Sequence, residues 1–219
     1  MLEQIKNHRH ILIECNGKNF PQASILYSYM LLLRKKVSIY STSSLEFYSF
    51  LAWSDKVRST IPASAEYTVN SQVDITELYT FFKANEISIN KKMATAFYAA
   101  YLKKYDNFLS PQCNGMVFAI LSELIASGAD HKRCVVELTQ KVPLSTVRLK
   151  SIIYKKLLLK ENASSVYVEL CEEDFVMSGA QWNDLLPIAK ELLNLAHVNQ
   201  VNIIKNDEKE KIIKLNKEV

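Results

Sequence analysis

The stretch from His10 to Ser41 constrains the fold more than any other part of the chain. His10–Glu14 (HILIE) is a short apolar run, Cys15–Asn19 (CNGKN) is a polar turn holding a glycine, and Pro21 opens a helical segment reaching to about Arg34. Lys36–Ser41 (KVSIYS) is a second apolar run. Proline suits the first helical turn, where its missing N–H costs nothing. A strand that returns through a helix lies parallel to the next strand, so this is a βαβ unit. The expected fold class is α/β, a Rossmann-like lobe with a parallel sheet. In such sheets chemistry sits at the turn after the first strand, where a strand end meets a helix N-terminus.

A second informative segment runs from Ile87 to Phe108 (ISINKKMATAFYAAYLKKYDNF). Asn90 is placed to cap a helix, its side-chain oxygen accepting a bond from an amide two or three residues on. Met93, Phe97, Tyr101 and Tyr105 recur every four residues with Ala94 and Tyr98 beside them, which predicts one face buried in a core.

Between these segments Phe47, Tyr48, Phe50, Leu51 and Trp53 form an aromatic cluster. A nucleobase platform built on Tyr48 or Trp53 is one reading; packing into the core outweighs it. Ala65–Val69 reads as a third strand, and Asp74, with Glu77 at the capping-box position, starts a helix to Ala84. Further helices are expected over 115–127, closed by Gly128, and from there on to Gln140. Pro143 is a break, after which Ser145 caps a helix through Leu159 striped by Leu149, Ile152, Ile153, Leu157 and Leu158. Ser165–Leu170 alternates with period two, a helix is expected over 184–195, and Val198–Ile204 with Lys211–Leu215 reads as a hairpin.

Apolar residues make up 48% of the 219 positions and charged residues 23%, a globular composition. The net charge of +4 is uneven: residues 1–160 hold 21 Lys and Arg against 12 Asp and Glu, and residues 161–219 hold 6 against 11. This places the expected boundary at 160/161, leaving a first domain over 1–160 that includes the 145–159 linker helix, and a second over 161–219. No stretch approaches about 18 uncharged apolar residues and the first residues carry no apolar leader, so the expected location is cytoplasmic, without membrane. Cys15, Cys113, Cys134 and Cys171 are scattered, with no metal-binding spacing, and are expected reduced and mostly buried. His8, His10, His131 and His197 are expected at the surface, and no metal or cofactor is called for.

Both informative segments resemble DHH-family phosphoesterases of the nanoRNase and pAp-phosphatase type. Ala94, Thr95, Tyr98 and Phe108 match the family run that ends at a metal-binding aspartate; Lys104 stands at that aspartate. Aligning Ala23-Ser24 on the family's Gly-Ser, and Val37–Tyr40 on its second strand, puts Glu14 at the family histidine. The same register puts Lys18 and Phe20 at its two aspartates. Gly128-Ala129-Asp130 and the Ser145–Leu149 run (STVRL) match later family segments. The namesake Asp-His-His triplet has no counterpart, since residues 60–90 hold no histidine, and the glycine-rich segment of the family's second lobe is absent.

What the resemblance implies is a degenerate, truncated relative: a shortened Rossmann-like DHH lobe, followed by a smaller α+β lobe resembling part of the DHH-associated domain. An ammonium cannot ligate a cation and would repel one. The expected site is therefore a vestigial cleft holding Glu14, Asn16, Lys18, Lys104 and Asp106, with no catalytic residue and no metal ligand. Lys18 and Lys104 either bind an anion there or pair with Glu14 and Asp106, the plainer arrangement. Three readings stay open: an inactive DHH-like binding module taking a nucleotide, short nucleic acid or other phosphate anion; a metal-dependent phosphoesterase with displaced ligands; and a structural subunit working through a protein partner or self-association.

Overall fold

Strand β1 (His10–Glu14) is the axis of the first sheet. It pairs in parallel with β2 (Lys36–Tyr40) on one side and β4 (Tyr67–Asn70) on the other, and a two-residue β3 (Val57–Arg58) extends the sheet beyond β2. The strand order is β3-β2-β1-β4. Ile11, Leu12 and Ile13 are buried, as central parallel strands require. The computed structural model describes Ile5, residues 7–206 and residues 211–217.

Helix α1 (Phe20–Leu32) crosses from β1 to β2 and is buried along most of its length, from Phe20 to Met30. After β4 come α2 (Ile75–Ala84) and α3 (Lys91–Lys104), and α1 packs on α3. Asp74 Oδ1 accepts from the Thr76 and Glu77 amides, and Asn90 accepts from the Met93 amide, so both predicted N-caps form. Tyr101, Phe97 and Met93 are fully buried, joined by Tyr79 and Phe82 in edge-to-face contacts. Helices α4 (Gly115–Ala126) and α5 (His131–Val135) follow, α5 running on as a π-helical turn over Val136–Gln140.

The second unit is a four-stranded sheet in the order β5-β6-β7-β8: β5 (Leu158–Lys160), β6 (Ser165–Leu170), β7 (Gln200–Lys205) and β8 (Lys211–Asn216). Only the central β6–β7 pair is parallel. Helices α6 (Leu144–Lys156), α7 (Glu172–Ser178) and α8 (Leu185–Leu193) belong to it, with Leu149, Ile153, Leu185, Ile188, Leu192, Val166 and Val168 in one core. The α/β class expected from the sequence is the class observed, a parallel four-stranded sheet followed by a smaller α+β unit.

Three details differ from expectation, and a fourth agrees with it. The chain divides into Met1–Lys141 and Val142–Val219, so α6 belongs with the second sheet instead of closing the first lobe. Its N-cap position is Pro143, with no side-chain cap from Ser145, and it ends at Lys156 because the chain turns into β5. His10 is buried, not at the surface: its Nδ1 lies 2.8 Å from the Ser64 carbonyl oxygen and its Nε2 3.0 Å from the Ser38 hydroxyl, so the turn before β4 and strand β2 satisfy both nitrogens. Of the aromatic cluster, Tyr48 and Leu51 are buried and Trp53 packs at the core edge, its indole N–H donating to Ser28 Oγ at 2.8 Å.

Candidate functional site

The loops leaving β1 and β4 diverge, because β1 feeds a crossover toward β2 while β4 lies on the opposite side of β1. This is the topological switch point of the sheet, where an open α/β sheet forms its binding crevice. Two depressions meet there. The smaller, about 330 Å³, is lined by Lys18, Gln22, Tyr48, Asp74, Lys103 and Lys104 among others. The larger, about 730 Å³, is lined by Asn16, Gly17, Lys18, Ser43, Ser44, Phe47, Tyr48 and Lys103. Lys18, Tyr48 and Lys103 belong to both.

The β1–α1 turn is held by reciprocal asparagine bonds. Asn16 Oδ1 accepts from the Lys18 and Asn19 amides at 2.9 and 3.0 Å, and Asn19 Oδ1 accepts from the Asn16 amide at 2.7 Å. Gly17 lies against the loop after β2; a Cβ there would stand 2.5 Å from the Ser44 carbonyl oxygen. Because Asn19 is spent on the turn, no side chain caps α1, and the first turn of α1 carries no acidic residue. The uncapped N-terminus of the helix follows directly on Lys18, which borders both depressions.

Lys104 Nζ donates to Asp74 Oδ2 at 2.6 Å and to Thr76 Oγ1 at 3.1 Å. Burial pushes the Asp74 carboxyl up, but the Lys104 ammonium and the Glu77 and Thr76 amides outweigh it and hold the group below its ordinary range. One carboxylate thus caps α2 and neutralises Lys104. Lys103 donates to the Leu138 carbonyl at 3.0 Å; burial pulls its ammonium down while Asp106 opposes the change. Cys15, at the end of β1, is pushed up to about 11 by burial, with Ser41 opposing and Glu14 adding, so it stays a thiol at neutral pH.

Of the five residues expected in the cleft, Lys18 and Lys104 line the smaller depression and Lys18 and Asn16 the larger. Glu14 ends β1 beside Tyr40 and Asn70, exposed, and Asp106 opens a left-handed turn over 106–108; neither lines the cleft. The pairing expected for Lys104, with Glu14 or Asp106, gives way to Asp74. The left-handed start of that turn at Asp106 takes the chain away from α3, while Asp74 is fixed across the cleft by its capping bonds.

Asp74, Lys103 and Gln22 were not legible as site residues, and Tyr48 was legible only as a nucleobase platform, a reading outweighed by packing. They reach the cleft from four elements, and Asp74 reads from sequence only as a helix cap. A divalent metal pair does not fit this donor set. Its one carboxylate is already bonded to an ammonium, two further lysines line the same depression, and among the described residues no three His, Cys, Asp or Glu side chains group as ligands.

No protein-family profile matches the chain, and no curated protein matches its sequence. Among solved structures it is similar to an exopolyphosphatase-related protein from Bacteroides fragilis, with a TM-score of 0.73 at 12% identity, over 99% of this chain and 82% of that one. A protein from Methanococcus jannaschii provisionally assigned as a family II inorganic pyrophosphatase aligns at a TM-score of 0.35 and 12% identity, over 94% of this chain and 88% of that one. At such identity the first likeness establishes the fold: this chain shares the α/β architecture of an exopolyphosphatase-related protein.

Proposed function

We propose that the chain is a binding module on a DHH-like fold, lacking the family's hydrolytic reaction, and that it holds a phosphate-bearing anion in the cleft of Lys18, Lys103 and Lys104. The observation that carries this reading is the convergence of three lysines, from the β1–α1 turn and the end of α3, on one switch-point cleft. Among the described residues only Lys104 of the three meets a carboxylate at ion-pair distance. The N-terminus of α1, without a side-chain cap, adds a partial positive charge beside Lys18. Hydrolysis would need a pair of cations held by several carboxylates or imidazoles, and Lys104 stands on the carboxylate best placed to contribute.

Two measurements test the reading. Inorganic phosphate or ADP at about ten times its dissociation constant should stabilise the protein by about 1.4 kcal/mol, a rise in Tm of several degrees for a chain of this size. A Lys18→Met, Lys103→Met variant, which keeps stem volume and leaves the Asp74–Lys104 pair intact, should lose that rise. A parent indifferent to both anions overturns the binding half. Mn²⁺-dependent hydrolysis of a phosphodiester, abolished by Glu14→Ala, overturns the non-catalytic half.

A further inference from the structure

Helix α4 carries apolar residues on every side, yet one stripe alone is buried. Val117, Leu121 and Leu124 face the core, while Met116, Phe118 and Ile125 are 71%, 53% and 42% exposed. A helix of this composition is ordinarily covered all round. Its one charged residue, Glu123, is drawn aside to α2, accepting from Tyr79 Oη at 2.7 Å and Lys83 Nζ at 2.8 Å. Opposite the buried stripe stand Gly115, Ala119, Ser122 and Ala126, all exposed and all small.

We propose that this face is the contact between two copies of the chain, α4 against α4, antiparallel about a twofold axis. Three observations select a second copy as the occupant. First, the small residues are spaced four, three and four apart, a pattern unchanged when the helix is reversed. In an antiparallel pair Gly115 meets Ala126 and Ala119 meets Ser122, so the stripe complements itself, as an isologous contact demands. Small residues at the centre let the axes come within about 8 Å.

Second, with Glu123 neutralised by Lys83, the face carries no charge that would repel its own copy. Third, Met116, Phe118 and Ile125 flank the small stripe with exposed apolar side chains, the make-up of the centre of an interface.

Light scattering on the eluting full chain at 100 μM should give twice the 25.1 kDa monomer mass. Ala119→Glu, which drives a carboxylate against the partner's small stripe, should weaken association at least tenfold. Thr80→Glu, adding the same charge at an exposed position on α2, should leave it unchanged. Circular dichroism confirms that both variants fold. In a Cys113→Ser background, mild oxidation should join an Ala119→Cys copy to a Ser122→Cys copy faster than either joins itself. A parent that is monomeric at 100 μM overturns the proposal and leaves the face to a different protein. A dimer indifferent to Ala119→Glu overturns it in favour of another surface, such as the outer face of α6 or a sheet edge.

Discussion

Gly17 shows what a single residue contributes to the cleft. Its backbone φ is not in the left-handed region, so the glycine is required by proximity: a methyl group would sit 2.5 Å from the Ser44 backbone carbonyl, which no side-chain rotation can relieve. The β1–α1 turn and the loop after β2 must then part, and those two loops are walls of the larger depression. Gly17→Ala should therefore cost about 1–3 kcal/mol, read as a lower denaturation midpoint, and should diminish the phosphate-induced rise in Tm. An unchanged midpoint would show that the two loops are not held together. Glycine in a polar turn was legible from sequence; the reason for it, a carbonyl from a loop twenty-seven positions later, was not.

At the scale of elements, sequence reading succeeded where the determinant is local and failed where it is a contact. Asn90 and Asp74 cap α3 and α2 as expected because a cap needs only the next three amides. His10–Glu14 and Lys36–Tyr40 are strands because their apolar runs feed a central parallel pair. The partner of Lys104 escaped notice, since sequence offers nearby carboxylates and the fold supplies Asp74, thirty positions away.

Helix α7 adds a similar case in the second unit. Asp174, 2% exposed, accepts from the Cys171 amide at 2.8 Å and from Lys156 Nζ at 2.6 Å, tying α7 to the end of α6. Burial raises its carboxyl, but Lys156 and the Cys171 amide win and set it below its unfolded value. A lowered carboxyl contributes stability above the unfolded value, near 3.9, and loses it as pH falls through the folded one. Asp174→Asn should cost about 1–3 kcal/mol at neutral pH, and the gap to the parent should narrow as pH falls below about 4. A gap that persists undiminished at pH 2 would mean that packing, not charge, holds α7.

For the whole molecule the informative quantity is where the chain divides. Charge counting put the boundary at 160/161, because five basic residues, Arg148, Lys150, Lys155, Lys156 and Lys160, were credited to the first domain. Divided at Lys141 and Val142, the first unit holds 16 Lys and Arg against 12 Asp and Glu, and the second holds 11 against 11, so the opposition of charge between lobes disappears. Packing gives the physical reason: Leu149 and Ile153 of α6 are fully buried in the core with Val166, Val168, Leu185 and Ile188, and β5 pairs with β6. We propose that the second unit folds as the 142–219 segment and that 161–219 does not fold, having lost two core side chains and an edge strand. Lys141, Val142 and Pro143 are exposed, so limited trypsin treatment should cut first after Lys141. The isolated 142–219 segment should melt cooperatively, whereas 161–219 should show little helical signal and no transition. A cooperative transition in 161–219 equal to that of the longer segment would return the boundary to 160/161 and make α6 a linker.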